Sequence, residues 1–228
     1  MNKKSSLSND LKKGKQEKRK HKIVIGIDQS YADSGICVAI DRRVRIVNEC
    51  KTTQSMSNTE KRAKLQKILT KCFASCCKKS TEFESCEVIC IIERIRLQSA
   101  KPGSEHFLNL NYIKGIGALN ALIVDTASKF NIPVYSVDTR SWKSQVVGTS
   151  KPREIGHGIP SEKWPTIEYC IGLGLKDQIS YPVSNKKKHY FIAPDGTHYT
   201  FNDNKADSIG IALYGFLPLV NQKLEEEH

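Results

Sequence analysis

Ile23-Val24-Ile25-Gly26-Ile27-Asp28 is an apolar run closed by a carboxylate. A continuous stretch of this kind, rich in β-branched residues, reads as a strand buried on both faces. An acid at the end of such a strand is costly to desolvate unless a cation meets it. The same pattern occurs twice more. Val88-Ile89-Cys90-Ile91-Ile92 runs into Glu93, and Asp207 opens the apolar segment Ser208-Ile209-Gly210-Ile211-Ala212-Leu213. Three such carboxylates, brought together by a fold, make a site for divalent metal, and the remainder of the chain is basic. That combination points to metal-dependent cleavage of nucleic acid.

Outward from the first run, residues 34–41 and 43–51 read as two more strands joined by a tight polar turn, which makes an antiparallel meander. Residues 57–79 read as a helix, because Ala63, Ile68, Leu69, Cys72, Phe73 and Cys76 fall near a 3.6 period. A strand at 86–92 ends at Glu93. Pro102-Gly103 breaks the chain before a long helix over 104–130, and a strand at 134–137 is followed by a short helix over 139–147. The Gly- and Pro-rich stretch 148–160 is a loop. A helix over 162–173 takes Ser161 as its N-cap. Residues 176–202 interrupt the alternation, and Pro194-Asp195-Gly196 within them predicts a β-hairpin on an Asp-Gly turn. A closing helix spans 203–217. Three early strands followed by alternating helix and strand imply one α/β domain over 23–220. Its mixed sheet is antiparallel in the first three strands and then parallel, with flanking helices and an inserted hairpin.

The 228 residues carry Lys+Arg 36 against Asp+Glu 24, a formal net charge of +12. Residues 1–22 hold +7 of that excess in nine Lys/Arg against Asp10 and Glu17. A basic polar segment of this composition cannot offset its ordering entropy and is expected to be a disordered tail. It either solubilises the chain or seeks phosphate, and the basic body favours the second reading. Residues 221–228 form a second polar tail. No apolar stretch nears the roughly 20 residues needed to span a bilayer, and the basic N-terminus has no apolar h-region. A soluble intracellular protein with no membrane partner is expected. The eight cysteines include no C-x-x-C pair, so buried reduced thiols, rather than a zinc module, account for them.

Several short segments share an order with a known family. Gly26-Ile27-Asp28-Gln29-Ser30 with Ser34-Gly35, then Ile92-Glu93-Arg94, resemble the opening and second acidic motifs of the RuvC-type Holliday-junction resolvases, members of the RNase H-like superfamily. Trp142-Lys143-Ser144-Gln145-Val146-Val147-Gly148 is similar to the family's K-x-x-V-x-G segment. Ser161-Glu162-Lys163 resembles the start of its next helix, and Asn204-Lys205-Ala206-Asp207-Ser208 its last motif. The resemblance runs in order over about residues 23–215.

It implies an RNase H-like fold and an endonuclease that hydrolyses branched DNA such as Holliday junctions, with Mg²⁺ as cofactor and Mn²⁺ as a possible substitute. Asp28, Glu93 and Asp207 would be the metal-binding catalytic acids, and Lys143 and Lys163 the catalytic lysines that bind the scissile phosphate. Symmetric nicking implies a homodimer, with the helix over 104–130 as the interface. An amide, Asn204, stands in the fourth ligand position; either it serves there or Asp203 substitutes. DNA contacts are expected from Arg96, which stands where the family often has a stacking aromatic, and from Lys151 and Arg153 in the extended loop. Lys186, Lys187 and Lys188 lead into a hairpin whose aromatics either contact DNA or pack across strands. Two other readings stay open: a non-cleaving branched-DNA scaffold, favoured by Asn204, and an RNase H-like nuclease on RNA–DNA hybrids. The tail, the hairpin and Asn204 point to a bacteriophage or viral version, acting in a bacterial or host cytoplasm or a viral factory.

Overall fold

The structure, a computed structural model, describes residues 20–94, 110–149, 162–184 and 190–218. Strands β1 (His21–Asp28), β2 (Asp33–Ile40) and β3 (Arg43–Lys51) form the expected meander. Helix α1 (Asn58–Ser80) follows, opened by a capping box in which Ser57 accepts from the Glu60 amide and Glu60 accepts from the Ser57 amide. Then come β4 (Cys86–Glu93), α2 (Leu110–Ser128) and β5 (Val134–Val137). The five strands lie in the order β3-β2-β1-β4-β5. The β1–β2 and β2–β3 pairs are antiparallel, and the β1–β4 and β4–β5 pairs are parallel. This is the expected mixed sheet, antiparallel in its first three strands and parallel thereafter.

After β5 the chain forms α3 (Thr139–Trp142), which widens into a π-helical turn over Lys143–Val147 and stops at Gly148 with φ 85°. Helix α4 (Trp164–Gly172) begins later than expected, at Trp164-Pro165, and Ser161 lies outside the described residues. The insertion is more than a hairpin. A short helix α5 (Lys176–Ile179) leads into β6 (Ser180–Pro182), which pairs with β8 (His198–Phe201) on the side opposite β7 (Phe191–Ile192), making a three-stranded sheet. Helix α6 (Asp203–Tyr214) closes the described fold and ends before Leu217. Strand β1 begins at His21, so the last two residues of the segment read as a tail belong to the sheet. No helix among the described residues is long and apolar enough to cross a membrane.

Alternation along the strands sorts the core onto two faces. Ile23, Ile25, Ile27, Ile36 and Val38 pack with Leu65, Leu69 and Phe73 of α1 and Leu119 and Ile123 of α2. Val24, Cys37, Ala39, Ile89 and Ile91 pack with Ile209, Ile211 and Ala212 of α6, with Trp142 and Trp164 beside them. Asp28 continues the Val24 series and Glu93 the Ile89–Ile91 series. Both carboxylates therefore lie on the α6 side of the sheet.

Helix α6 approaches that side very closely. A Cβ on Gly26 would lie 2.4 Å from the Ala212 nitrogen and the Ser208 oxygen, and one on Gly35 would lie 2.0 Å from the Asn204 oxygen. These are backbone atoms and cannot swing aside. Gly26→Ala is expected to destabilise the fold by about 1–3 kcal/mol, read as a lower urea midpoint with unchanged m. A midpoint within error of wild type would show that α6 can move away without loss.

Candidate active site

The β1–β4 register runs from His21 opposite Cys86 to Ile27 opposite Ile92, which brings Asp28 and Glu93 together at the strand ends. Asp207 stands on the second turn of α6, and its side chain is only 6 % exposed. Confinement within the protein, and then the carboxylates of Asp207 and Glu93, push the Asp28 carboxyl well above the usual range; Asp203 adds to this and Lys163 opposes it. Burial and the gathering of acids from two strands and one helix together disfavour charge on the central one.

Two lysines face the group. Lys163 Nζ lies 2.8 Å from Asp207 Oδ2 and 3.2 Å from Asp203 Oδ2. Burial works against its charge, but Asp207, Asp203 and Asp28 outweigh that and hold its pKa above the usual lysine value. Lys143, buried at the head of the π-turn, has its Nζ 3.7 Å from Asp207 Oδ1, 3.4 Å from the Glu162 carbonyl and 5.2 Å from the Trp142 ring centroid. Helical turns of the π class often occur at functional sites, where the extra residue re-aims a side chain.

The fourth position separates the two candidates. Asn204 donates its amide to the Asp33 carbonyl at 2.6 Å, whereas Asp203 faces Lys163. Asp203 is four residues before Asp207, and helical neighbours at four share a face as well as neighbours at three. The turn is fixed by Asn202, which the sequence reading did not single out. Its Oδ1 accepts from the Lys205 amide, and its Nδ2 donates to Asp33 Oδ2 at 2.9 Å and Glu49 Oε2 at 2.6 Å. The preference for Asn at helix N-caps is the one signal that could have found it. Arg96, Lys151, Arg153, Lys186, Lys187 and Lys188 lie outside the described residues, as do residues 1–19 of the basic tail. The aromatics of the inserted sheet pack on one another: the Phe191 and Tyr199 rings stack 5.2 Å apart, and Trp164, Tyr190 and Phe201 cluster.

Among the described residues no His, Cys, Asp or Glu side chains are grouped so as to hold a metal ion as they stand. Lysine nitrogens and the Trp142 indole occupy carboxylate oxygens instead. The donor set nevertheless fits a hard divalent cation. Asp207 Oδ1 is buried without a hydrogen-bond donor, and Asp28 carries an excess of neighbouring negative charge.

The chain matches no protein-family profile and no curated protein sequence. Among solved structures it is similar to Thermus thermophilus RuvC, at 18% identity over 84% of this chain and 91% of that one, with a TM-score of 0.47. T. thermophilus RuvC in complex with a Holliday junction substrate gives 14% identity, 84% and 90% coverage and a TM-score of 0.45. The yeast mitochondrial Holliday junction resolvase Ydc2 gives 14% identity, 88% and 83% coverage and a TM-score of 0.38.

Proposed function

We propose that this chain is a metal-dependent endonuclease that hydrolyses phosphodiesters in branched DNA, of the RuvC type. The observation that carries the reading is the crowding of Asp28, Glu93 and Asp207 against one another with Lys143 and Lys163 facing them. Asp28, Glu93, Asp207 and Asp203 would hold Mg²⁺, or Mn²⁺ in its place. Bound there, the cation would supply an activated water and neutralise the phosphate. The two lysines act on the other partner. With Asp207 engaged elsewhere, their ammonium groups are free to bind the non-bridging oxygens and stabilise the charge that grows as the bond breaks. A net charge of +12 raises encounter with DNA of any shape. Nicking both strands of a junction symmetrically needs two sites, hence a two-fold homodimer.

The test is to offer the full chain a labelled four-way junction, a linear duplex and an RNA–DNA hybrid, each in Mg²⁺, Mn²⁺ or EDTA. Cutting confined to the junction and dependent on metal is expected. Binding without cutting in either metal would leave the scaffold reading. Preferential cutting of the hybrid would point to the RNase H-like alternative.

The choice of Asp203 carries its own prediction. Asp203→Asn is expected to raise the half-saturating Mg²⁺ concentration by about 10-fold or more. Asn204→Ala should leave it nearly unchanged, because the side chain that is removed donates to the Asp33 carbonyl. Reversed effects in a Mg²⁺ titration of the cleavage rate would return the fourth position to Asn204.

A further inference from the structure

Glu93 is fixed at both of its ends, its backbone by Gln29 and its carboxylate by Trp142. The β1–β4 ladder ends at the Ile27–Ile92 pair, and beyond it β1 turns away toward β2. Gln29, 8 % exposed, sends its side chain back across the gap. Its Nε2 donates to the Glu93 carbonyl at 2.6 Å, and its Oε1 accepts from the Glu93 amide at 3.3 Å. One side-chain amide thereby does what a peptide group would do, and the sheet gains a rung at the catalytic position. At the other end the Trp142 indole donates to Glu93 Oε1 at 3.0 Å. Trp142 is fully buried, and Gly210 leaves room for its ring; a Cβ there would lie 2.4 Å from ring carbon Cζ3.

We propose that Gln29 and Trp142 are positioning residues that clamp Glu93 beside Asp28 in a metal-ready orientation. The inference rests on the metal-dependent reading above. A donor fixed on Oε1 leaves Oε2 for a cation, and it removes the rotamer freedom that a surface glutamate would lose on binding one. Groups that orient a metal ligand without touching the metal typically change affinity or activity 10–100-fold when removed. Trp142 also underlies Lys143, so one indole sets both an acid and a phosphate-binding lysine.

The test uses full-length Gln29→Met, which keeps length and loses both hydrogen bonds, and Trp142→Phe, which keeps an aromatic ring and loses the donor. Mn²⁺ binding followed by electron paramagnetic resonance is expected to weaken about 10-fold in each. Junction affinity in EDTA should stay within twofold of wild type, and the lost cleavage rate should largely return at high Mg²⁺. A merely structural role would lower the melting midpoint and leave Mn²⁺ affinity untouched; that result in Gln29→Met overturns the clamp, even if Trp142→Phe fails to fold. Absence of Mn²⁺ binding by wild type would instead sink the metal-dependent reading and the clamp with it.

Discussion

Asp28→Asn is expected to lower the single-turnover rate of four-way-junction cleavage by about 10³-fold or more at saturating Mg²⁺. The same change should raise the melting midpoint of the metal-free protein. Burial, and then the carboxylates of Asp207 and Glu93 with Asp203 adding to them, hold the Asp28 carboxyl well above the usual range. A carboxyl raised in this way weakens the fold at neutral pH, where the unfolded chain ionises it freely, and a neutral amide of the same shape removes that cost. Mg²⁺ should stabilise wild type against heat by mass action and stabilise the variant much less. Retained cleavage would show that the catalytic assignment is wrong. Lost cleavage together with a lower midpoint would mean that the substitution damages the fold, and the crowding argument would fail.

Lys163→Met should also stop the chemistry, with the opposite sign on stability. Asp207 is buried and accepts from Lys163 at 2.8 Å, while Lys143 stays 3.7 Å from its other oxygen. Removing the closer cation leaves a buried carboxylate undercompensated, at a cost of about 1–3 kcal/mol to the metal-free fold. The cleavage rate should fall by about 10²-fold or more, because an ammonium placed at the phosphate stabilises the transition state more than the ground state. Lys143→Ala should lower the rate similarly, and junction affinity in Ca²⁺ should stay within several-fold for both. Lys151→Ala and Arg153→Ala are the contrast: they should mainly weaken binding. Equal, small losses in all four would reduce these residues to a diffuse basic surface.

The opposite stability changes at Asp28 and Lys163 follow from the same crowding, which no single stretch of chain displays. Local pattern did reveal the pieces. The β-branched runs before Asp28 and Glu93 form strands because their side chains need both faces covered, and that need is written in consecutive residues. The Asp-Gly turn of the insertion, with Gly196 at φ 82°, was legible for the same local reason. The third strand of that small sheet was not, because Ser180–Pro182 is too short to show a period and forms only by pairing with β8.

The acids, the strands that end in two of them, the lysines in their motif-like settings and the basic charge of the whole are all written in consecutive residues. Tertiary structure decided how these face one another. Gln29 and Glu93 are 64 residues apart, and no periodicity relates them; the parallel register of β1 and β4 does. Asp203 and Asn204 both lie within a helical turn of Asp207, so spacing alone could not rank them. Asn202 capping α6 while holding Asp33 and Glu49, and Gly35 admitting the helix backbone onto β2, fix the rotation of that first turn. Asn204 is thereby turned to the sheet and Asp203 to Lys163, because a helix seated on backbone atoms cannot rotate by a residue without collision.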